Sequence, residues 1–223
     1  LMYYRKAEMR MLRLQGLIED DDVLRPTQQR QDIARRIGDA VEFTLKVASR
    51  EQFDAPIFMH ETRTIHLPRR IITEEELAEA QRQVEHYERR LKELADRPPY
   101  DVERSRCFGL RRWYRGVIER YELQKAQPTY PMELHVVRLA DIAFATNAFE
   151  LYLDYGVRIK ARSKAVQTFV VQLTGSGTYL PTARSIKGGG YGSVAASNIV
   201  GPEGGDMLVE ETVSAIERTF IPH

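Results

Sequence analysis

Apolar residues recur at three- and four-residue intervals over 28–48, where Ile33, Ile37, Val41, Leu45 and Ala48 share one face. That spacing predicts an amphipathic helix, opened near Pro26. A shorter polar, Arg-rich helix is expected over 3–15, with Asp20-Asp21-Asp22 as the break between the two. Over 56–67 the period changes to two. Ile57, Glu61, Arg63, Ile65 and Leu67 fall on one parity and Thr62, Thr64 and His66 on the other, as in a strand that Pro68 ends or edges.

Thr73-Glu74-Glu75-Glu76 carries a hydroxyl at the N-cap and a carboxylate three residues on, the signature of a capping box. The helix it opens is expected to reach about Ala95, with Leu77, Ala80, Val84, Tyr87, Leu91 and Leu94 as its stripe and Glu79/Gln83, Glu85/Arg89 and Glu88/Lys92 outside. Pro98-Pro99 stops it, and a second helix over 101–126 completes a helical hairpin at 73–126. Beyond 132 the pattern turns to strands, at Leu134–Leu139, at 141–146 and, as a buried strand, at 167–173. A short helix at 149–163, loops at 175–182 and 188–192, and a closing helix over 205–220 complete the expectation. The fold class is therefore α/β, an α+β-like mixed sheet with flanking helices.

Composition narrows the function classes. Thirty-three Lys and Arg against 32 Asp and Glu give a net charge of +1, which argues against binding nucleic acid by bulk charge. No apolar run approaches the ~18 residues of a membrane span. The single Cys107 precludes an intrachain disulfide and a Cys-rich zinc knuckle. Met2 offers a natural start, whereas Leu1 suggests missing upstream sequence. The Arg-rich helix near the start also suits an anionic membrane surface, although Glu8 and its narrow apolar face favour a solvated helix.

Phosphate-loop, nucleotide-fold, H-E-x-x-H and G-x-S-x-G patterns are all missing. His60 and His66 share a strand parity, and His135 stands alone in the sequence; such histidines read as surface or hydrogen-bonded residues. Ser176 and Ser193 lie in loops without an obvious histidine partner. One pair stands out. Glu150 follows a strand end, and Tyr191 lies among four glycines in a loop with wide backbone freedom. They suit either a shared site or a plain turn, with Glu150 favoured at a helix N-terminus by the macrodipole.

The order of motifs over 141–218 adds to this. Ile142 to Glu150 is followed by Val170-Val171-Gln172-Leu173, by Gly177-Thr178-Tyr179-Leu180-Pro181-Thr182, by Gly189-Gly190-Tyr191 and by Gly201-Pro202-Glu203-Gly204-Gly205. The segment resembles the last third of the catalytic domain of neutral, non-lysosomal ceramidases, in particular their divergent bacterial relatives. The helix at 28–48 and Thr64-Ile65-His66-Leu67-Pro68 share the resemblance, and the hairpin at 73–126 would be an insertion of the divergent branch. The resemblance implies a zinc-dependent hydrolase of an N-acyl, ceramide-like amide. Glu150 would be the carboxylate ligand, with Ala148-Phe149 in place of the family's Pro-Gly. Tyr191, twelve residues after Tyr179, would be the tyrosine ligand, and Tyr179 would line the substrate pocket. The family's serine and its two histidine ligands would lie upstream of Leu1, and the chain would be the C-terminal portion of one catalytic domain that associates with that missing part. The resemblance further suggests an exported protein. The alternative is a non-catalytic scaffold that docks a partner through the hairpin, with Trp113, Tyr114 and Tyr121 as anchors or, on the plainer reading, as core.

Overall fold

A computed structural model describes residues 6–17, 24–50 and 52–221. Two compact units divide at residues 55 and 56. The first holds α1 (Lys6–Leu14) and α2 (Leu24–Ala48). Ion pairs along α2 support it, Arg35 reaching Asp32 at 2.7 Å and Asp39 at 3.1 Å, and Lys46 reaching Glu42 at 3.0 Å. Ile37, Val41 and Leu45 of the expected stripe are exposed. The Asp20-Asp21-Asp22 break lies outside the described residues.

The second unit is built on a four-stranded mixed sheet in the order β1 (Phe58–Pro68), β2 (Thr129–Leu139), β3 (Ile142–Thr146) and β5 (Gln167–Val171). The first two pairings are antiparallel and the last is parallel. The parallel step is made by a crossover through β4 (Glu150–Leu151) and α5 (Leu153–Arg162). Period-two patterning sorts the two faces. Ile65, Leu67, Met132, Leu134, Val136, Ala143 and Ala145 are buried in one core. Into that core α7 (Pro202–Thr219) sets Leu208, Val209, Val213 and Ile216, each burial contributing about 1.5–3 kcal/mol. Arg63 pairs with Glu211 at 2.9 Å and Arg218 with Glu61 at 2.5 Å along the seam. The opposite face carries His60, Thr62, Thr64 and His66 of β1, none of them buried.

The hairpin forms as expected from α3 (Glu74–Glu93) and α4 (Val102–Ala126). Thr73 and Glu76 complete the capping box, and Asp101 caps α4 through the Arg104 N–H. The hairpin's inner face joins a second apolar cluster of Ile72, Ala80, Val117 and Ala195, with Tyr114 and Tyr121 packed against it. Both tyrosines are therefore half-buried against that cluster.

Several boundaries differ from the sequence expectation; β2, expected from Leu134, already begins at Thr129. The strand expected over 167–173 ends at Val171 and is largely exposed, because β5 is an edge strand whose buried side chain is Thr168. The helix expected over 149–163 starts only at Leu153. The loop at 175–182 contains a two-residue strand, β6 (Tyr179–Leu180). The last helix starts earlier, at Pro202, where a proline needs no helical partner for its absent N–H.

Close packing decides where glycine is needed. A Cβ at Gly205 would lie 2.3 Å from the ring of Tyr155, a buried side chain whose hydroxyl donates to the Pro181 carbonyl at 2.8 Å. At Gly109 in α4 a Cβ would meet nothing within 4 Å. Helix propensity alone favours alanine at either position by up to ~1 kcal/mol. Gly205→Ala is therefore expected to destabilise the protein by about 1–3 kcal/mol through overpacking. Gly109→Ala is expected to stabilise it, both read from urea midpoints; equal shifts would refute the packing account.

Candidate functional site

At the end of β3 the chain is turned by Asn147, which is buried. Its side-chain oxygen accepts from the Phe149 N–H at 3.0 Å, and its amide nitrogen donates to the Val171 carbonyl at 3.3 Å. This sends Phe149 into the core and leaves Glu150 outward on β4. Strand β4 pairs in parallel with β6, Glu150 beside Tyr179. The Glu150 N–H donates to the Thr178 carbonyl at 3.0 Å. The connecting loop passes so close that a Cβ at Gly177 would fall 2.0 Å from the Ala148 carbonyl oxygen. Glu150 is thus a strand residue, and the expected helix N-terminus is not what holds it. Its neighbour across the strand pair is Tyr179. Interaction with the Glu150 carboxylate, with some burial, raises the Tyr179 phenol's pKa above its ordinary value.

Tyr191 arrives from the other side. Short helix α6 (Ala183–Gly188) starts at the Thr182 cap, and Gly189 and Gly190 follow it with φ of 71° and 107°. Only glycine adopts such angles without strain. The Tyr191 ring stacks on Trp113 of α4, centroids 5.5 Å apart, and meets Tyr179 edge-on at 5.7 Å. Trp113, Glu150, Leu173, Tyr179, Tyr191 and Ser197 line one cavity of about 260 Å³. A second cavity, about 520 Å³, opens beside it between the hairpin and residues 186–196, and Trp113 and Tyr191 border both. The structure therefore brings the three sequence-selected residues, Glu150, Tyr179 and Tyr191, to one place. Ser193 is buried and bonded to the Tyr152 hydroxyl at 2.8 Å, and Ser176 offers its carbonyl to Tyr130.

Two arginines hold this loop, and sequence reasoning missed both. Arg70 donates to the Ser193 carbonyl at 2.7 Å and to the Asn198 side chain, and pairs with Glu76 at 2.6 Å. Arg120 of α4 donates to the carbonyls of Ala195, at 2.8 Å, and Asn198. Burial, then the nearby charges of Arg70 and Arg69, lower the Arg120 pKa to about 10. Glu76 was visible as a capping-box residue, and its second oxygen holds Arg70. Nothing in the local pattern of α4 marked Arg120.

Among the described residues no group of three His, Cys, Asp or Glu side chains could hold a metal ion, and no helix is long and apolar enough to cross a membrane. No family model, curated protein or solved structure matches the chain.

Arg120→Ala would leave the carbonyl of the buried Asn198 without its guanidinium donor and the Ala195 carbonyl with only the long 3.5 Å bond from the Asn198 N–H. An expected loss of roughly 2–4 kcal/mol follows, together with release of the Trp113–Tyr191 stack. Denaturant titration and Trp113 fluorescence, from the single tryptophan of the chain, check it. Unchanged stability and emission would refute the clamp.

Proposed function

We propose that the chain is the C-terminal part of the catalytic domain of a zinc-dependent amide hydrolase similar to neutral ceramidases, acting on an N-acyl, ceramide-like amide. One observation carries this reading: Glu150 and Tyr191, from separate segments, line the same cavity.

The donor chemistry fits zinc as a partial set. A carboxylate is a ready anionic oxygen ligand at neutral pH, and a phenol becomes one when a cation lowers its pKa. Glu150 and Tyr191 would supply these two oxygens, and the nitrogen donors would come from residues preceding Leu1. When bound, zinc polarises the scissile carbonyl and acidifies a coordinated water. The remaining work falls to the chain's own residues. Tyr179 stands beside Glu150 across the β4–β6 pair, placed to donate a hydrogen bond to its carboxylate. Trp113 and Tyr191 stack to form an aromatic flank of the cavity that suits an apolar substrate. The neighbouring larger cavity, with Val117, Ile186 and Ala195 in its lining, suits an acyl chain.

In this reading the 223-residue chain alone binds zinc at Glu150 and Tyr191 only weakly and does not hydrolyse an N-acyl sphingosine probe. The product of the reading frame extended upstream of Leu1 is expected to hydrolyse it. In that product, Glu150→Gln and Tyr191→Phe are each expected to reduce kcat/KM by about 100-fold or more, the loss of roughly 3 kcal/mol of transition-state stabilisation. Full activity in both variants would overturn the assignment.

A further inference from the structure

A second set of donors lies on the open face of the sheet. Thr62 of β1 sits directly opposite His135 of β2, and His60 is two residues from Thr62 on the same face. His60 Nε2 and His135 Nδ1 are 3.0 Å apart, and Thr62 Oγ1 is 3.2 Å from each. The two imidazoles are nearly coplanar in orientation, 14° between planes and 5.2 Å between centroids. The far nitrogen of His135, Nε2, is bonded to Glu133 Oε1 at 2.7 Å. None of these residues lines the Glu150 cavity.

We propose that His60 and His135 form a binding site for a borderline divalent transition-metal ion, Zn²⁺ or Cu²⁺, with Glu133 as its positioning residue. Three physical points support this. First, two imidazole nitrogens on one tetrahedral ion with bonds of about 2.0–2.1 Å stand roughly 3.3 Å apart. To take an ion between them the nitrogens of His60 and His135 part by a few tenths of an ångström, the rings turn so that both lone pairs point at the ion, and the proton that His60 Nε2 donates in this contact moves to its Nδ1. Second, the Glu133 carboxylate accepts the proton of His135 Nε2, which fixes the tautomer that leaves a lone pair on Nδ1, toward His60. Carboxylate-to-imidazole support of this kind orients metal-bound histidines and raises their basicity. Third, β1 and β2 are paired in continuous register from residue 58 to residue 68, so both rings stand on rigid backbone. Imidazole favours copper, nickel and zinc over magnesium and calcium. With two protein ligands, the remaining coordination positions go to water or to a partner's side chain, and the Thr62 hydroxyl stands at the edge of that opening.

The test uses the full chain and two metals as probes. Isothermal titration with Zn²⁺ is expected to give one site that His60→Gln or His135→Gln removes, with at least a tenfold loss of affinity. Glu133→Gln is expected to keep the stoichiometry and weaken binding by about 10- to 100-fold. With one equivalent of Cu²⁺, electron spin echo modulation should show two imidazole nitrogens, falling to one in His60→Gln. Circular dichroism confirms that each variant is folded; these side chains lie outside the sheet's core. Zn²⁺ affinity that is unchanged in both histidine variants overturns the site, and so does a Cu²⁺ spectrum without imidazole coupling. Glu150→Gln serves as the separating control. It leaves the His60/His135 site intact, so failure here and failure of the amide-hydrolase reading give different patterns.

Discussion

Two desolvated guanidinium groups, Arg70 and Arg120, hold the candidate site together. The segment from Gly190 to Ile199 has little regular structure of its own, only two short 3₁₀ turns. Such a segment leaves carbonyl oxygens without ladder partners, and in a buried setting each needs a donor. The two arginines supply those donors, one from the segment following β1 and one from α4. The cost shows in Arg120, whose charged form is disfavoured by burial and by the positive charge of its neighbours. The negative charge of Glu76, which also pairs with Arg70, offsets part of that cost. Because α4 also carries Trp113, the same arrangement that satisfies the loop's carbonyls sets the wall against which Tyr191 stacks.

On the other side of the cavity, backbone geometry rather than charge does the positioning. Asn147 closes a turn that a β-branched or apolar residue could not close, because its side-chain amide both accepts and donates. The turn separates Phe149 from Glu150 by one residue and so by one face: the aromatic ring enters the core and the carboxylate stays at the rim. Pairing of β4 with β6 then places Glu150 beside Tyr179 by register alone.

The elements whose period is self-contained were legible in the sequence. The strand parity of 58–68, the Thr73 capping box and the Asp101–Ala126 helix all follow from local spacing, and the mixed α/β class follows from their order. Errors gather between 147 and 182, where two-residue strands are held by partners far along the chain. No window of residues reveals that Glu150 pairs with Tyr179, because the pairing is fixed by the crossover that brings β5 and β6 alongside. The same reason hid the histidine pair. His60 and His135 look solitary in sequence, and only the antiparallel register of β1 and β2 brings them within 3.0 Å. A strand-parity argument grouped His60 with His66 but had no means of choosing the partner strand.

The fold thus separates oxygen donors from nitrogen donors. Glu150, Tyr179 and Tyr191 gather at a loop-built cavity beside the hairpin, lined in part by aromatic rings. His60 and His135 stand on the exposed face of the rigid antiparallel ladder. A cation that prefers anionic oxygen would find the first and one that prefers imidazole the second, while zinc accepts both. Neither set alone fills four positions. In the reading proposed for the chain, a complete zinc centre at the Glu150 cavity would therefore depend on imidazoles brought from elsewhere, since none of the described histidines lines that cavity: His60, His66 and His135 stand on the sheet and His86 on α3.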